Sequence, residues 1–168
     1  MGNFVCKIPT IEEVVKKYDY EIEHNIDNKD NWLIWKEEAI DRIKKGLMIS
    51  YYGLLDGRII CECSAAIDAS IVQNSKGLID NKTAYLFAFR TINEYQGKGY
   101  FSILYKYMEE DLKNRGYEVL TLGVEPEELK NKAIYNKYGF VNHIKNGIET
   151  YPDGTEIEVE YYSKVLCK

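Results

Sequence analysis

The sequence predicts an α+β fold in which about four helices flank a mostly antiparallel sheet. Three observations carry this expectation. Two strand-like runs, residues 47–55 and 58–66, are joined by Asp56-Gly57, the strongest short signal of a two-residue hairpin. Two further apolar runs each pass directly into an amphipathic helical segment, the first through Gly97 and Gly99, the second through Pro126. Near the end of the chain, Ile157, Val159 and Tyr161 alternate with Glu156, Glu158 and Glu160, the pattern of a half-buried strand.

Taken in order, Thr10 followed by Glu13 forms a capping box, and Ile11, Val14, Val15 and Tyr18 recur at helical steps, so a first helix begins near Thr10. A second helix spans residues 30–45, with Trp32, Trp35, Ala39 and Ile43 as its stripe and Gly46 as its stop. The two tryptophans read as core, with the lining of a pocket as the alternative. The hairpin follows, and residues 67–81 are polar, contain Gly77 and read as a loop. Residues 83–91 hold the apolar, aromatic run from Ala84 to Phe89 and form the central strand. A helix then opens at the two glycines, carries Phe101, Leu104, Met108 and Leu112 inward, and ends at Gly116. Residues 117–124 form another strand. Pro126 is expected as the first residue of a helix with Leu129, Ala133 and Tyr138 inward, Asn131 and Tyr135 on a neighbouring face, and Gly139 as its stop. From Phe140 the chain is extended, turning at residues 151–155. With no linker-like stretch and no internal repeat, the 168 residues are expected to form one domain.

Composition narrows the function. With 45% hydrophobic and 29% charged residues the chain is globular rather than disordered. A net charge of −5 and the lack of a basic run exclude a nucleic-acid surface. No stretch approaches the roughly 18–20 apolar residues that cross a bilayer, and residues 1–10 carry no extended apolar segment, so no membrane partner and a cytoplasmic location are expected. Cys6, Cys61, Cys63 and Cys167 lack disulfide-framework spacing and are expected as reduced thiols. With only His24 and His143 beside them, no metal site is expected.

The chemistry centres on Glu94-Tyr95-Gln96-Gly97-Lys98-Gly99-Tyr100-Phe101-Ser102. The first amides of a helix lack intrahelical partners and sit at the positive end of its dipole, so such a turn can bind an anion. Gly97 and Gly99 let the backbone approach a phosphate closely; a plain strand-to-helix turn is the alternative. The spacing matches neither the P-loop nor Gly-x-Gly-x-x-Gly.

Gln96-x-x-Gly99, with Lys98 between the glycines, resembles the pyrophosphate-binding signature of the GNAT superfamily of N-acetyltransferases, Gln/Arg-x-x-Gly-x-Gly/Ala, with Phe101 at its last position. Residues 122–140 are similar to the GNAT segment ending Tyr-x-Lys-x-Gly-Phe, with Tyr135, Lys137, Gly139 and Phe140 in register and with Glu128 and Asn131 where many members have Asn and Ala. Together the motifs span residues 84–140. The resemblance implies a mixed, twisted sheet with splayed central strands and acetyl-CoA as cosubstrate. It implies backbone of Phe89, Arg90 and Thr91 on the pantetheine, and Gln96, Gly97, Lys98, Gly99, Tyr100, Phe101 and Ser102 around the pyrophosphate. Asn131 would add a further cofactor contact, and Tyr135 would be the general acid.

The implied reaction is attack of a neutral amine on a thioester, which needs orientation, proton removal and protonation of the departing thiolate. The central strand offers no carboxylate, so Glu62 and Glu125 are the candidate bases, with a water chain as the alternative; each is otherwise a surface or capping residue. The expected activity is acetyl transfer to a primary amine, small-molecule or peptide, in a ternary complex, by a monomer or homodimer. Residues 141–160 hold Lys145 against Glu149, Asp153, Glu156, Glu158 and Glu160, or 1 − 5 = −4, which favours a cationic acceptor. The rival readings are a catalytically silent acyl-CoA-binding module and a ligand-free interaction domain.

Overall fold

The computed structural model of the chain describes residues 2–166, so Met1 and Cys167, the latter expected as a reduced thiol, lie outside the described residues. In chain order the elements are β1 (Phe4–Lys7), α1 (Ile11–His24), α2 (Lys29–Lys44), β2 (Met48–Leu55), β3 (Arg58–Ala66), β4 (Thr83–Thr91), α3 (Tyr100–Asn114), β5 (Val119–Val124), α4 (Leu129–Lys137), β6 (Asn142–Thr150) and β7 (Glu156–Val165). The seven strands make one open sheet in the order β1-β2-β3-β4-β5-β7-β6. β4 and β5 pair in parallel, Thr83 opposite Val119 to Leu86 opposite Leu122, while β1-β2, β5-β7 and β6-β7 are antiparallel, so the sheet is mixed and the fold is α+β as expected. β1 escapes the sequence reading because four residues carry too little pattern.

The chain divides into two compact units, one holding residues up to Ser64 together with Ala88–Asp111, the other Ala65–Phe87 and the chain from Leu112 onward. In the first, the capping box forms as predicted: the Glu13 N–H donates to Thr10 Oγ1 at 3.2 Å and the Thr10 N–H donates to Glu13 Oε1 at 2.9 Å. α1 then buries Val14 and Tyr18, which pack with Trp32, Ala39 and Tyr52, with Trp35 and Ile43 against them. Trp32 is therefore core, and Trp35 packs against it half-buried. The same face of α1 also buries Lys17 and Glu21, two charges that apolar periodicity gives no reason to place inside. At the β2-β3 turn Asp56 and Gly57 both have positive φ, 50° and 83°, as the tight hairpin demands.

The second unit is built on Ala66, Val72, Leu78, Val159 and Tyr161, so the predicted alternation of β7 holds on its apolar side. Two expectations need correction. α4 starts at Leu129 rather than Pro126, because the chain first turns, with the Glu128 N–H on the Glu125 carbonyl at 3.1 Å. Leu129 is then 72% exposed and Ala133 is exposed, while Asn131, Lys132, Tyr135 and Tyr138 are the half-buried positions. In so short a helix tertiary packing, not the apolar pattern, chooses the inner face. On the other side of β7, Glu160 is half-buried and holds Lys132 at 2.7 Å and the Tyr162 hydroxyl at 2.9 Å.

Candidate active site

The turn before α3 has the backbone its glycines predict. Gly97 and Gly99 adopt φ of 72° and 87°, and a Cβ built on either would meet no atom within 4 Å, so the chain here is both left-handed and open to a close ligand. The Ile103 N–H donates to the Gly99 carbonyl at 3.3 Å, which places the opening turn of a 15-residue helix directly after the glycines. Gln96 ties the turn to the end of β4, its Nε2 donating to the Thr91 carbonyl and to Asn93 Oδ1, both at 3.1 Å. Lys98 is exposed, its Nζ 5.7 Å from the Tyr95 ring centre. Tyr100 packs on Phe4 at 4.9 Å between ring centres. Phe101 turns its bulk onto Phe89, 5.2 Å between ring centres, and Phe89 also meets Tyr105. The ring at this position is thus spent on packing between α3 and β4.

Just before Phe89, Ala88 takes φ of 56°, a left-handed conformation that costs a non-glycine residue roughly 1–2 kcal/mol and breaks the pleat of β4. Arg90 makes a two-pronged pair with Glu21, Nε to Oε1 at 3.0 Å and an Nη to Oε2 at 2.8 Å, and lies over Trp32 at 4.9 Å.

Of the two candidate bases, Glu62 is neither a surface nor a capping residue: it is 3% exposed and ion-paired to the equally buried Lys17. Burial pushes its carboxyl above the usual range, against the pull of the Lys17 ammonium. Glu125, half-buried at the end of β5, is also raised, first by burial and then by the Glu128 carboxyl hydrogen-bonded to it. Asn131 Nδ2 donates to Glu128 Oε2 at 2.6 Å, so Asn131 orients this carboxyl pair. Tyr135 is half-buried on the same helix, its phenol pushed up to about 12 by burial and then by Glu128.

A model of the Acetyltransferase (GNAT) family matches residues 10–140. The chain belongs to the GNAT family. Solved structures agree on the fold of this GNAT protein. It is similar to the ribosomal-protein-S18-alanine N-acetyltransferase from Escherichia coli, at 16% identity and TM-score 0.70 over 99% of this chain and 96% of that one. The ribosomal-protein-alanine N-acetyltransferase from Brucella melitensis matches at 14% identity and TM-score 0.67 over 96% and 99%. The yncA protein from Salmonella typhimurium, solved with its cofactor acetyl-CoA, matches at 15% identity and TM-score 0.67 over 99% and 95%. No curated protein matches.

Sequence reasoning missed a polar network in the second unit of this GNAT chain. The hydroxyls of Tyr161 and Tyr85 donate to Glu149 Oε2 at 2.8 and 3.3 Å, and Asn74, itself at φ of 56°, donates to Tyr161 at 3.0 Å. The register shift between His143 and Lys145 helps set which side of β6 carries Glu149, and nothing in the local pattern signals it. Among the described residues no helix is long and apolar enough to cross a membrane.

Proposed function

We propose that this GNAT chain transfers the acetyl group of acetyl-CoA to a primary amine by direct attack. The observation that carries the reading is the paired left-handed glycines opening α3 with free space beside them, the fit expected of a pyrophosphate cradle. When bound, acetyl-CoA supplies the activated acyl group as a thioester. Backbone groups of Phe89, Arg90 and Thr91 orient the pantetheine, and residues 96–102 hold the pyrophosphate. Tyr135 keeps its proton until it is needed and donates it to the leaving sulfur, since a phenol raised to about 12 is neutral at any physiological pH. Glu125 accepts the proton of the amine, directly or through water. Its raised carboxyl is a better base near neutrality than an ordinary one, whereas Glu62 is committed to Lys17. Asn131 serves by holding Glu128.

The test is turnover of acetyl-CoA on a panel of primary amines, small molecules and peptides with free amino termini, following thiol release. Turnover on at least one class is expected. Coenzyme A binding without any turnover would leave a silent binding module, and no thermal shift with coenzyme A would leave an interaction domain.

A further inference from the structure

The first unit contains a cavity of about 240 Å³ between α1, the β2-β3 hairpin and the end of β4. It is slightly smaller than the roughly 300–1,000 Å³ of drug-sized pockets, a size that suits a small organic molecule. Its apolar wall is Ile59, Ile60 and Ile92 with the Tyr20 ring. Its charged lining is uneven. The two carboxylates, Glu62 and Glu21, are both buried and are answered one for one by Lys17 and Arg90. Lys16 and Arg58 remain, both exposed, so the lining carries 4 − 2 = +2 in a chain whose net charge is −5. Arg58 also holds Glu94 at 2.8 Å and donates to the Tyr95 hydroxyl at 3.2 Å, an exposed arrangement that a bound carboxylate would share with Glu94.

We propose that this cavity is a binding site for a small carboxylate carried on an apolar body, the anion held by Lys16 and Arg58 and the body lying against Ile59, Ile60 and Ile92. Such a ligand supplies the negative charge that the lining lacks, and the two internal pairs stay intact beneath it. The cavity touches the acetyl-transfer reading at Arg90 and Glu62, but the two residues that hold the anion, Lys16 and Arg58, have no part in that reading.

The experiment is titration of the chain with hexanoate and with its uncharged amide, hexanamide, read by calorimetry and by amide NMR shifts at Lys16, Tyr20, Ile59 and Ile92. Hexanoate is expected to bind saturably with shifts at these positions, at least tenfold more tightly than hexanamide, and more weakly as salt rises. The double variant Lys16→Gln/Arg58→Gln should lose at least tenfold in hexanoate affinity while hexanamide is unaffected. Equal binding of the two probes to the wild-type chain would overturn the proposal without recourse to any variant. Undiminished hexanoate binding by the double variant, absence of shifts at the four amides, or displacement of hexanoate by coenzyme A would overturn it as well. Failure of turnover on every amine leaves this result standing.

Discussion

At the scale of single residues, the proton inventory of α4 and its neighbours makes two predictions. Tyr135→Phe removes the acid without changing the ring, so kcat should fall by about ten- to ten-thousandfold with little change in acetyl-CoA affinity. An undiminished kcat, in conditions where chemistry limits the rate, would assign Tyr135 to packing. Glu125 has to be ionised to act as a base, and burial and Glu128 raise its pKa above the ordinary 4.5. The acid limb of kcat/KM should therefore lie above that value, with activity lost as pH falls through it. Glu128→Gln removes the neighbouring carboxylate and should move the limb to lower pH, whereas Glu125→Gln should abolish it. A limb that stays in place in Glu128→Gln would exclude Glu125 as the base.

At the scale of elements, α1 is held to β3 by a buried ion pair, and its behaviour is predictable from desolvation. Lys17→Met strands the Glu62 carboxylate and should cost about 3–5 kcal/mol, while Lys17→Met/Glu62→Met should recover most of that loss. Urea denaturation of the two single variants and the double variant measures the coupling, and additive losses would mean the pair contributes nothing as a pair. This is also where sequence legibility ends. The start of α1, the hairpin at Asp56-Gly57, the central strand and the glycine turn of α3 were readable because capping boxes, left-handed turns and short periodicities are local. Lys17 and Glu62 were not, since a charge on an apolar helix face makes sense only once its partner from a distant strand is known. α4 was misread for the same reason: Leu129 obeys its local pattern and still faces solvent. Tyr135 was placed by motif register, but the Glu128 and Asn131 contacts that condition it required the fold.

At the scale of the whole molecule, charge is distributed unevenly, and the β6-β7 hairpin carries much of the negative excess. The structure takes Glu160 out of that field by pairing it with Lys132, and Glu149 is occupied by two tyrosines, so Glu156 and Glu158 remain as its exposed carboxylates on β7. If they draw a cationic acceptor, changing Glu156 and Glu158 to Gln should lower kcat/KM for polyamine-like amines more than for neutral ones at low salt. The difference should vanish once salt shortens the screening length to a few ångströms. Equal losses for both substrate classes would reduce the hairpin to a solubility face. One backbone angle reaches just as far. Tyr85, Phe87 and Phe89 lie two residues apart, and in an uninterrupted strand they would form a single row. With Ala88 at φ of 56°, Tyr85 and Phe87 stack on one another at 6.4 Å in the second unit, and Phe89 joins Phe101 in the first. Ala88 acts in β4 as an antiphase boundary acts in a crystal: the order on each side is regular, and the two halves are out of step, so that one short run of aromatics serves two separate clusters.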